Sequence, residues 1–183
     1  FIIGSRRDFI MSEPPTVLSL NVVEARDLAA KDATGYSDPY AEIRLVINGK
    51  KQEPKYETRA VTQTLNPVWK SNYRFINAKF GAKSVQLVIK LWDRDKLFGG
   101  IGDHLQKDDF LGIVTIDVKA ALPDYDESLL FDQWLTLQEY DKNHKGEKVS
   151  GDVRVQLSWG DLGVEAMEGV ATPPTKHRKS LFA

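Results

Sequence analysis

Five aspartates fall in two acidic stretches whose spacing suits a cation site. The first stretch, residues 28–40, contains Asp32 and Asp38, and the second, residues 91–112, contains Asp93, Asp95 and Asp109. Asp93 and Asp95 stand two positions apart at the end of a β-type segment, so their side chains point to the same side. Carboxylates gathered at one end of a fold repel each other, and a hard cation with oxygen ligands relieves that repulsion. Calcium, which takes about six to eight oxygen ligands in flexible geometry, suits this set better than magnesium.

Other chemistries fit the sequence poorly. In an EF-hand register that starts at Asp93, Leu97 takes the fifth position, Phe98 replaces the required glycine and His104 replaces the bidentate glutamate. The chain has no G-x-S-x-G, H-E-x-x-H or phosphate-binding P-loop motif. Paired aspartates also serve in glycoside hydrolysis, but that reaction would need an aromatic saccharide cleft. We therefore expect a non-catalytic domain.

Composition limits the partners. The 183 residues suit one globular domain, and 25 basic against 26 acidic residues give a net charge of -1. No bulk attraction to nucleic acid is expected, so any electrostatic function must be local. The absence of cysteine excludes disulfides and thiolate metal sites. Without a signal peptide or an apolar run of about 18 residues, we expect a cytoplasmic protein that meets membranes only peripherally.

The elements that must position the acidic stretches are short strands. Period-two or continuous apolar segments, separated by Gly, Pro, Asn and Asp, predict an all-β fold of eight antiparallel strands in two packed sheets. Asp117 also starts a short predicted helix that runs through Leu122 and ends at Pro123. A sandwich gathers its loops at two ends, where function is placed. The predicted strands are Val17 to Glu24, Tyr40 to Ile47, Tyr56 to Thr62, Asn72 to Ile76, Val85 to Trp92, Phe110 to Asp117, Phe131 to Leu137 and Val153 to Trp159.

Three motifs, taken in order, resemble those of the C2 domain family. Asp32 with Ser37-Asp38-Pro39-Tyr40 resembles the first calcium loop, residues 64–69 (TLNPVW) resemble the turn-and-tryptophan signature, and WDRD at 92–95 with DDFLG at 108–112 resembles the third loop. The resemblance covers residues 17–159. It implies an eight-stranded antiparallel β-sandwich that binds two or three Ca²⁺ ions. The implied ligands are the carboxylates of Asp32, Asp38, Asp93, Asp95 and Asp109 and the backbone carbonyls of Lys31 and Arg94.

The two ends of the chain predict a topology. Residues 151–159 supply a final strand of the kind that other members carry at the start, which implies the phospholipase-type (type II) order. Pro14-Pro15 breaks any strand before Val17. We expect an N-terminal extension or added residues at 1–15, the C2 domain at 16–160 and a flexible C-terminal linker or tail at 161–183.

Thirteen residues separate Asp95 from Asp109, where the family usually has a handful. The insertion resembles the long third loop of the central C2 domain in presynaptic vesicle-priming proteins. Its apolar residues share one helical face, but three glycines at about 1 kcal/mol each oppose a stable helix. We predict membrane contact, with packing on the sandwich or binding of a protein partner as alternatives. The predicted contact residues are Leu97, Phe98, Ile101 and Leu105, flanked by Lys96 and Lys107, and Tyr36 in the first loop.

The resemblance also implies a second lipid site, for phosphoinositides. Glu42 and Glu57 stand where basic residues would be expected, and a lysine-rich turn is more often simply solvated. The residues at matching places are Tyr40, Arg59, Asn66 and Trp92, with Lys50, Lys51 and Lys55 in or after the neighbouring turn.

Two functional hypotheses follow. The first is a calcium-dependent phospholipid-binding module that docks its parent protein on anionic membranes through the two acidic loops. The alternative is a protein-interaction module that acts mainly without calcium, or the targeting domain of a larger lipid-acting or signalling enzyme.

Overall fold

The computed structural model describes residues 17–76, 78, 82–95, 108–123, 127–139, 144, 146–160 and 162. These residues form nine strands and one short helix, and none of their helices is long and apolar enough to cross a membrane. The elements are β1 (Val17–Arg26), β2 (Pro39–Ile47), β3 (Lys50–Lys51), β4 (Tyr56–Glu57), β5 (Val68–Ile76), β6 (Val85–Asp93), β7 (Asp109–Asp117), α1 (Val118–Ala121), β8 (Phe131–Thr136) and β9 (Asp152–Trp159).

Two antiparallel sheets enclose the core, which confirms the predicted all-β sandwich. One sheet has the order β5-β1-β9-β8, and the other has the order β3-β2-β6-β7 with β4 also paired to β2. The last strand, β9, lies between β1 and β8, so it occupies an interior position beside the first strand. The assignment to the type II order stays a prediction.

Period-two alternation explains how the sheets bury their facing sides. In β6, Val85, Leu87, Ile89 and Leu91 are buried while the residues between them are half-buried. Strand β1 contributes residues such as Leu20 to the same cluster from the other sheet. Each fully buried side chain of this size contributes about 1.5 to 3 kcal/mol. The core therefore fixes the strand ends from which the acidic loops extend.

The prediction was wrong for the third strand, Tyr56 to Thr62. Only Tyr56–Glu57 forms a strand there, and Lys50–Lys51 pairs with the far part of the same β2 edge. Beyond Glu57 the chain still borders β2, with Thr58 N–H donating to Ala41 O at 2.9 Å. The strand expected from Asn72 begins earlier, at Val68. Lys70 has a left-handed backbone (φ 48°) and forms an irregularity in the strand, but the pairing with β1 continues on both sides of it.

The predicted short helix is confirmed in position. Asp117 is its N-cap, and one of its carboxylate oxygens accepts from Lys119 N (3.0 Å) and Ala120 N (3.3 Å). This bonding satisfies two of the amide groups that a helix start leaves without an intrahelical partner.

A charged network crosses the outer face of the four-stranded sheet. Arg154 in β9 donates two hydrogen bonds of 2.9 Å to the two oxygens of Asp132 in β8. Gln156 Nε2 donates to Asp132 Oδ2 at 3.0 Å, and its own Oε1 accepts from Asn21 in β1. The Arg154 hydrogen bond, with a smaller contribution from Gln156, lowers the pKa of the Asp132 carboxyl.

We expect Asp132→Asn to destabilise the domain by about 1 to 2 kcal/mol at pH 7, because a two-pronged charged hydrogen bond is lost on a partly exposed face. The folded-state pKa of Asp132 is lowered, so its contribution is fully present above the unfolded value of about 3.9 and disappears as pH falls through the folded value. Urea unfolding of both proteins at pH 7 and pH 3 should show the difference shrinking in acid. A difference that is constant with pH would contradict the assignment.

Candidate metal centre

The first acidic loop (residues 27–38) is folded by its own hydrogen bonds. Lys31 N and Asp32 N both donate to Tyr36 O, at 3.2 and 3.0 Å, and Gly35 N donates to Asp32 O at 3.0 Å. The buried Ser37 hydroxyl donates to Ala29 O and accepts from Lys31 N, each at 3.1 Å. These bonds make the loop double back, which leaves the Tyr36 side chain 49% exposed at its tip.

Strand register places the acidic residues of the two stretches beside each other. Pro39 pairs with Asp93 across β2 and β6, and Asp93 pairs with Asp109 across β6 and β7. Asp38 N–H donates to Asp93 Oδ1, and Arg94 N–H donates to Asp38 O at 3.1 Å. The three carboxylates of Asp38, Asp93 and Asp109 therefore start from neighbouring strand ends at one end of the sandwich.

Burial and neighbouring carboxylates together raise the pKa of Asp95 and of Asp93. Burial, and after it the charges of four neighbouring carboxylates, raises the pKa of Asp95; these neighbours are Asp109, Asp93, Asp108 and Asp32. Burial also raises the pKa of Asp93, with further increases from the charges of Asp32 and Asp38 and a partial offset from hydrogen bonds of Ser37 and the Asp38 backbone. Negative charge is thus concentrated at this end of the domain without full compensation.

The donor set fits a hard cation. Within the described ranges, no group of three or more His, Cys, Asp or Glu side chains converges into a ready metal cage. Carboxylates and backbone carbonyls are the ligands that calcium prefers, and calcium tolerates the irregular geometry that two loops provide.

A second loop holds Asp38 in place. Gln63 N–H donates to Asp38 Oδ1 at 2.7 Å, and Trp69 Nε1 donates to Pro39 O at 3.3 Å. The predicted turn at Asn66-Pro67 also reaches the first acidic loop, because Asn66 Oδ1 accepts from Asp27 N at 3.0 Å. Residues 58–69 thus act as a support for the first acidic loop.

Comparison with known proteins decides the family. The family profile described as C2 domain matches residues 16–137 of the chain. The chain belongs to the C2 domain family.

Relatives of this C2 domain are longer proteins. It is 32% identical to FT-interacting protein 7 of Oryza sativa subsp. japonica, over 81% of the chain and 17% of that protein. It is 31% identical to Synaptotagmin-1 of Aplysia californica, over 82% of the chain and 33% of that protein. The chain therefore spans a third or less of the length of these relatives.

Solved structures agree in fold. The calcium-bound pair of C2 domains from Extended-Synaptotagmin 2 matches with a TM-score of 0.57 and 28% identity, over 80% of this chain and 46% of that one. A single C2 domain of plant Extended Synaptotagmin 1 matches with a TM-score of 0.58 at 20% identity, over 82% of this chain and all of that one.

Most residues predicted to contact a membrane lie outside the described part of the C2 domain. Tyr36 is described, and its exposed ring stands at the tip of the first acidic loop. The predicted contacts Lys96, Leu97, Phe98, Ile101, Leu105 and Lys107 belong to residues 96–107, which lie between the described ranges.

The predicted phosphoinositide residues do not gather at one place. Tyr40 and Trp92 are cross-strand partners near the acidic end, whereas Lys50 and Lys51 pair with the other end of β2, roughly 20 Å away at the rise of a strand. Lys55 Nζ lies 2.6 Å from Glu57 and 3.3 Å from Glu42, so its charge is already compensated. The Asn66 side chain accepts a hydrogen bond from Asp27 N, and Arg59 is exposed. The phosphoinositide site stays a prediction.

Asp108 is a supporting residue that the sequence reasoning missed. Its Oδ2 accepts from the Tyr40 hydroxyl at 2.7 Å, and its Oδ1 accepts from Asp95 N at 3.3 Å. Burial, followed by this hydrogen bond, raises the pKa of Tyr40, so the hydroxyl keeps its proton as a donor. The Arg94 guanidinium lies 4.1 Å above the Tyr40 ring centre and 3.6 Å from Glu57. These contacts position the two ends of the third loop (residues 94–108).

Glu147 and His144 were also missed, because residues 140–150 form a polar stretch of sequence between two predicted strands and carry no recognisable motif. His144 is 7% exposed, and its Nδ1 lies 2.7 Å from Glu147 Oε1. Burial alone would raise the pKa of Glu147, but the His144 hydrogen bond, the Lys31 charge and the Phe110 amide together lower it. Glu147 is therefore an anion held beside both acidic loops.

Proposed function

We propose that this C2 domain is a calcium-dependent phospholipid-binding module, without catalysis of its own, that docks its parent protein on anionic membranes. The observation that carries the proposal is the cluster of mutually repelling carboxylates contributed by two loops at one end of the sandwich. Such a cluster is costly for the fold alone, and it becomes favourable when a cation binds between the loops.

The residues that would hold calcium are the carboxylates of Asp32, Asp38, Asp93, Asp95 and Asp109, with the carbonyls of Lys31 and Arg94. When bound, calcium supplies positive charge and open coordination positions for lipid phosphate or serine carboxylate oxygens. Similarity to a solved calcium-bound structure of Extended-Synaptotagmin 2 supports this ligand class.

The change of charge provides the switch. The chain carries a net charge of -1, and two bound Ca²⁺ ions would bring it to +3, concentrated at the acidic end. Repulsion from an anionic bilayer then becomes attraction. Tyr36 and the apolar residues of the third loop are proposed to enter the headgroup region, with Lys96 and Lys107 each adding about 1 kcal/mol near anionic lipid.

The test is calcium titration calorimetry together with vesicle sedimentation. We expect the domain to sediment with phosphatidylserine-containing vesicles in calcium, to remain in the supernatant in EDTA, and to bind calcium more tightly when vesicles are present. Sedimentation that is equal in calcium and EDTA would contradict the proposal. Calcium binding without any sedimentation would instead favour a protein-interaction module.

A further inference from the structure

The Glu147 carboxylate joins three separate parts of the chain. Its Oε2 accepts from Phe110 N at 3.2 Å and lies 3.5 Å from Lys31 Nζ, while its Oε1 lies 2.7 Å from His144 Nδ1. Lys31 immediately precedes Asp32 in the first acidic loop, and Phe110 immediately follows Asp109 at the end of the third loop. One side chain therefore links the two loops that carry the candidate ligands.

An aromatic cluster holds this carboxylate in position. The His144 ring stacks on Phe110 with centres 4.7 Å apart and an angle of 20°, and it makes a T-shaped contact with Trp92 with centres 5.2 Å apart. Phe110 is fully buried, and Trp92 meets it at 5.4 Å. His144 is thus packed against the strands on either side of the third loop, β6 and β7. Its short bond to Glu147 transfers that rigidity to the carboxylate.

The chain after Glu147 is fastened as well. The Val149 side chain packs so close to Gly112 in β7 that a Cβ atom there would lie 2.9 Å from Val149 Cγ1. The Ser150 hydroxyl donates to Asp27 O at 2.9 Å, at the start of the first acidic loop. Residues 147–150 therefore contact the base of both loops. These contacts restrain the backbone at Glu147, so its position does not depend on the movement of either loop.

We propose that Glu147 is a positioning residue for the first acidic loop and the third loop. Its carboxylate binds both the Lys31 ammonium and the Phe110 amide, and it thereby sets the distance between the candidate ligands at Lys31 and Asp32 and the candidate ligand Asp109. The proposal rests on the proposed function for its calcium readout. Groups that orient metal ligands without touching the metal typically change metal affinity by about 10- to 100-fold when they are removed. A bridge between two loops acts in this way, because it fixes ligands that otherwise move independently.

The first arm of the test measures calcium affinity by calorimetry at 20 °C. We expect Glu147→Gln to weaken calcium binding about 10-fold, and Lys31→Met to weaken it less, since the Phe110 bond survives. The double variant should match Glu147→Gln, because both changes break the same bridge. Glu53→Gln is the matched control. It removes the same charge from a side chain that is 82% exposed, near the turn between β3 and β4, and should leave the affinity unchanged.

The second arm needs no calcium. In EDTA, amide hydrogen exchange at Phe110 and across residues 31–37 should be faster in Glu147→Gln than in the wild type, because the amide loses its acceptor and the first acidic loop loses its link. A wild type that binds no calcium would refute the proposed function, while this exchange arm would still decide the role of Glu147.

Three results would overturn the positioning role. One is unchanged calcium affinity in Glu147→Gln with a lower unfolding temperature, which is the pattern of a purely structural residue. The second is fully additive losses from the Lys31 and Glu147 variants. The third is unchanged amide exchange at Phe110 in EDTA.

Discussion

Asp38→Asn combined with Asp95→Asn is expected to abolish calcium-dependent binding to anionic vesicles and to weaken calcium affinity by more than about 100-fold. The magnitude follows because removing groups outside the coordination sphere already costs about 10- to 100-fold, and here two direct ligands lose their charge. Asparagine keeps the shape of the side chain, so its amide oxygen at position 38 would still accept from Gln63 N and keep the supporting loop in place.

The same variant should behave in the opposite way when calcium is absent. Burial, and after it the charges of four neighbouring carboxylates, raise the pKa of Asp95, so its charge disfavours the folded state at neutral pH. Asparagine removes that repulsion. The unfolding temperature in EDTA should therefore be equal to or higher than that of the wild type, although binding is lost. Sites selected for binding often carry such a stability cost.

Vesicle sedimentation, calorimetry and thermal unfolding in EDTA test both halves of this prediction. The matched control is Glu53→Gln with Glu139→Gln, two exposed residues whose replacement changes the net charge from -1 to +1 as the aspartate variant does. It separates local ligation from overall charge. Calcium-dependent sedimentation that survives in the aspartate variant, or is equally lost in the control, would refute the ligand assignment.

The fold and the acidic cluster could be predicted because they depend on local patterns. Alternation in β6 fixes which side chains are buried, and this leaves Asp93 and Asp95 at the end of the strand. Pairing of Asp93 with Asp109 then follows from the antiparallel arrangement of β6 and β7 around the third loop. Periodicity and strand order are properties that a sequence carries directly.

The supports of the cluster could not be predicted, because they are long-range contacts of ordinary polar residues. Glu147 meets Lys31 across 116 positions and Phe110 across 37, and nothing in their neighbours indicates the pairing. The histidine that holds Glu147 lies in a segment whose composition is typical of a solvated loop. The irregular third strand was missed for another reason: residues after Glu57 bond to β2 singly, which no periodic pattern reveals.

Gly151→Ala is expected to destabilise the domain by about 3 to 4 kcal/mol, which is large for the addition of one methyl group. Gly151 has φ +96°, and a Cβ atom there would lie 2.3 Å from Arg26 O and 2.8 Å from the carbonyl of Asp27. These are backbone atoms at the end of β1. Relief would require either the end of β1 to shift, where Ser150 and Asn66 bond to Asp27, or Gly151 to move, although its carbonyl accepts from Leu137 N.

Gly49→Ala separates the clash from backbone strain. Gly49 also has a positive φ, +75°, but nothing lies within 4 Å of a Cβ atom built there. Strain alone should cost about 1 kcal/mol, a shift of roughly 3 °C, against roughly 10 °C for Gly151→Ala in thermal unfolding. Equal decreases in unfolding temperature for the two variants would mean that β1 moves to accommodate the methyl group at position 151 without a large cost, which would contradict the prediction. Because the start of the first acidic loop rests on the same backbone, we also expect Gly151→Ala, and not Gly49→Ala, to weaken calcium affinity at temperatures where both variants are folded.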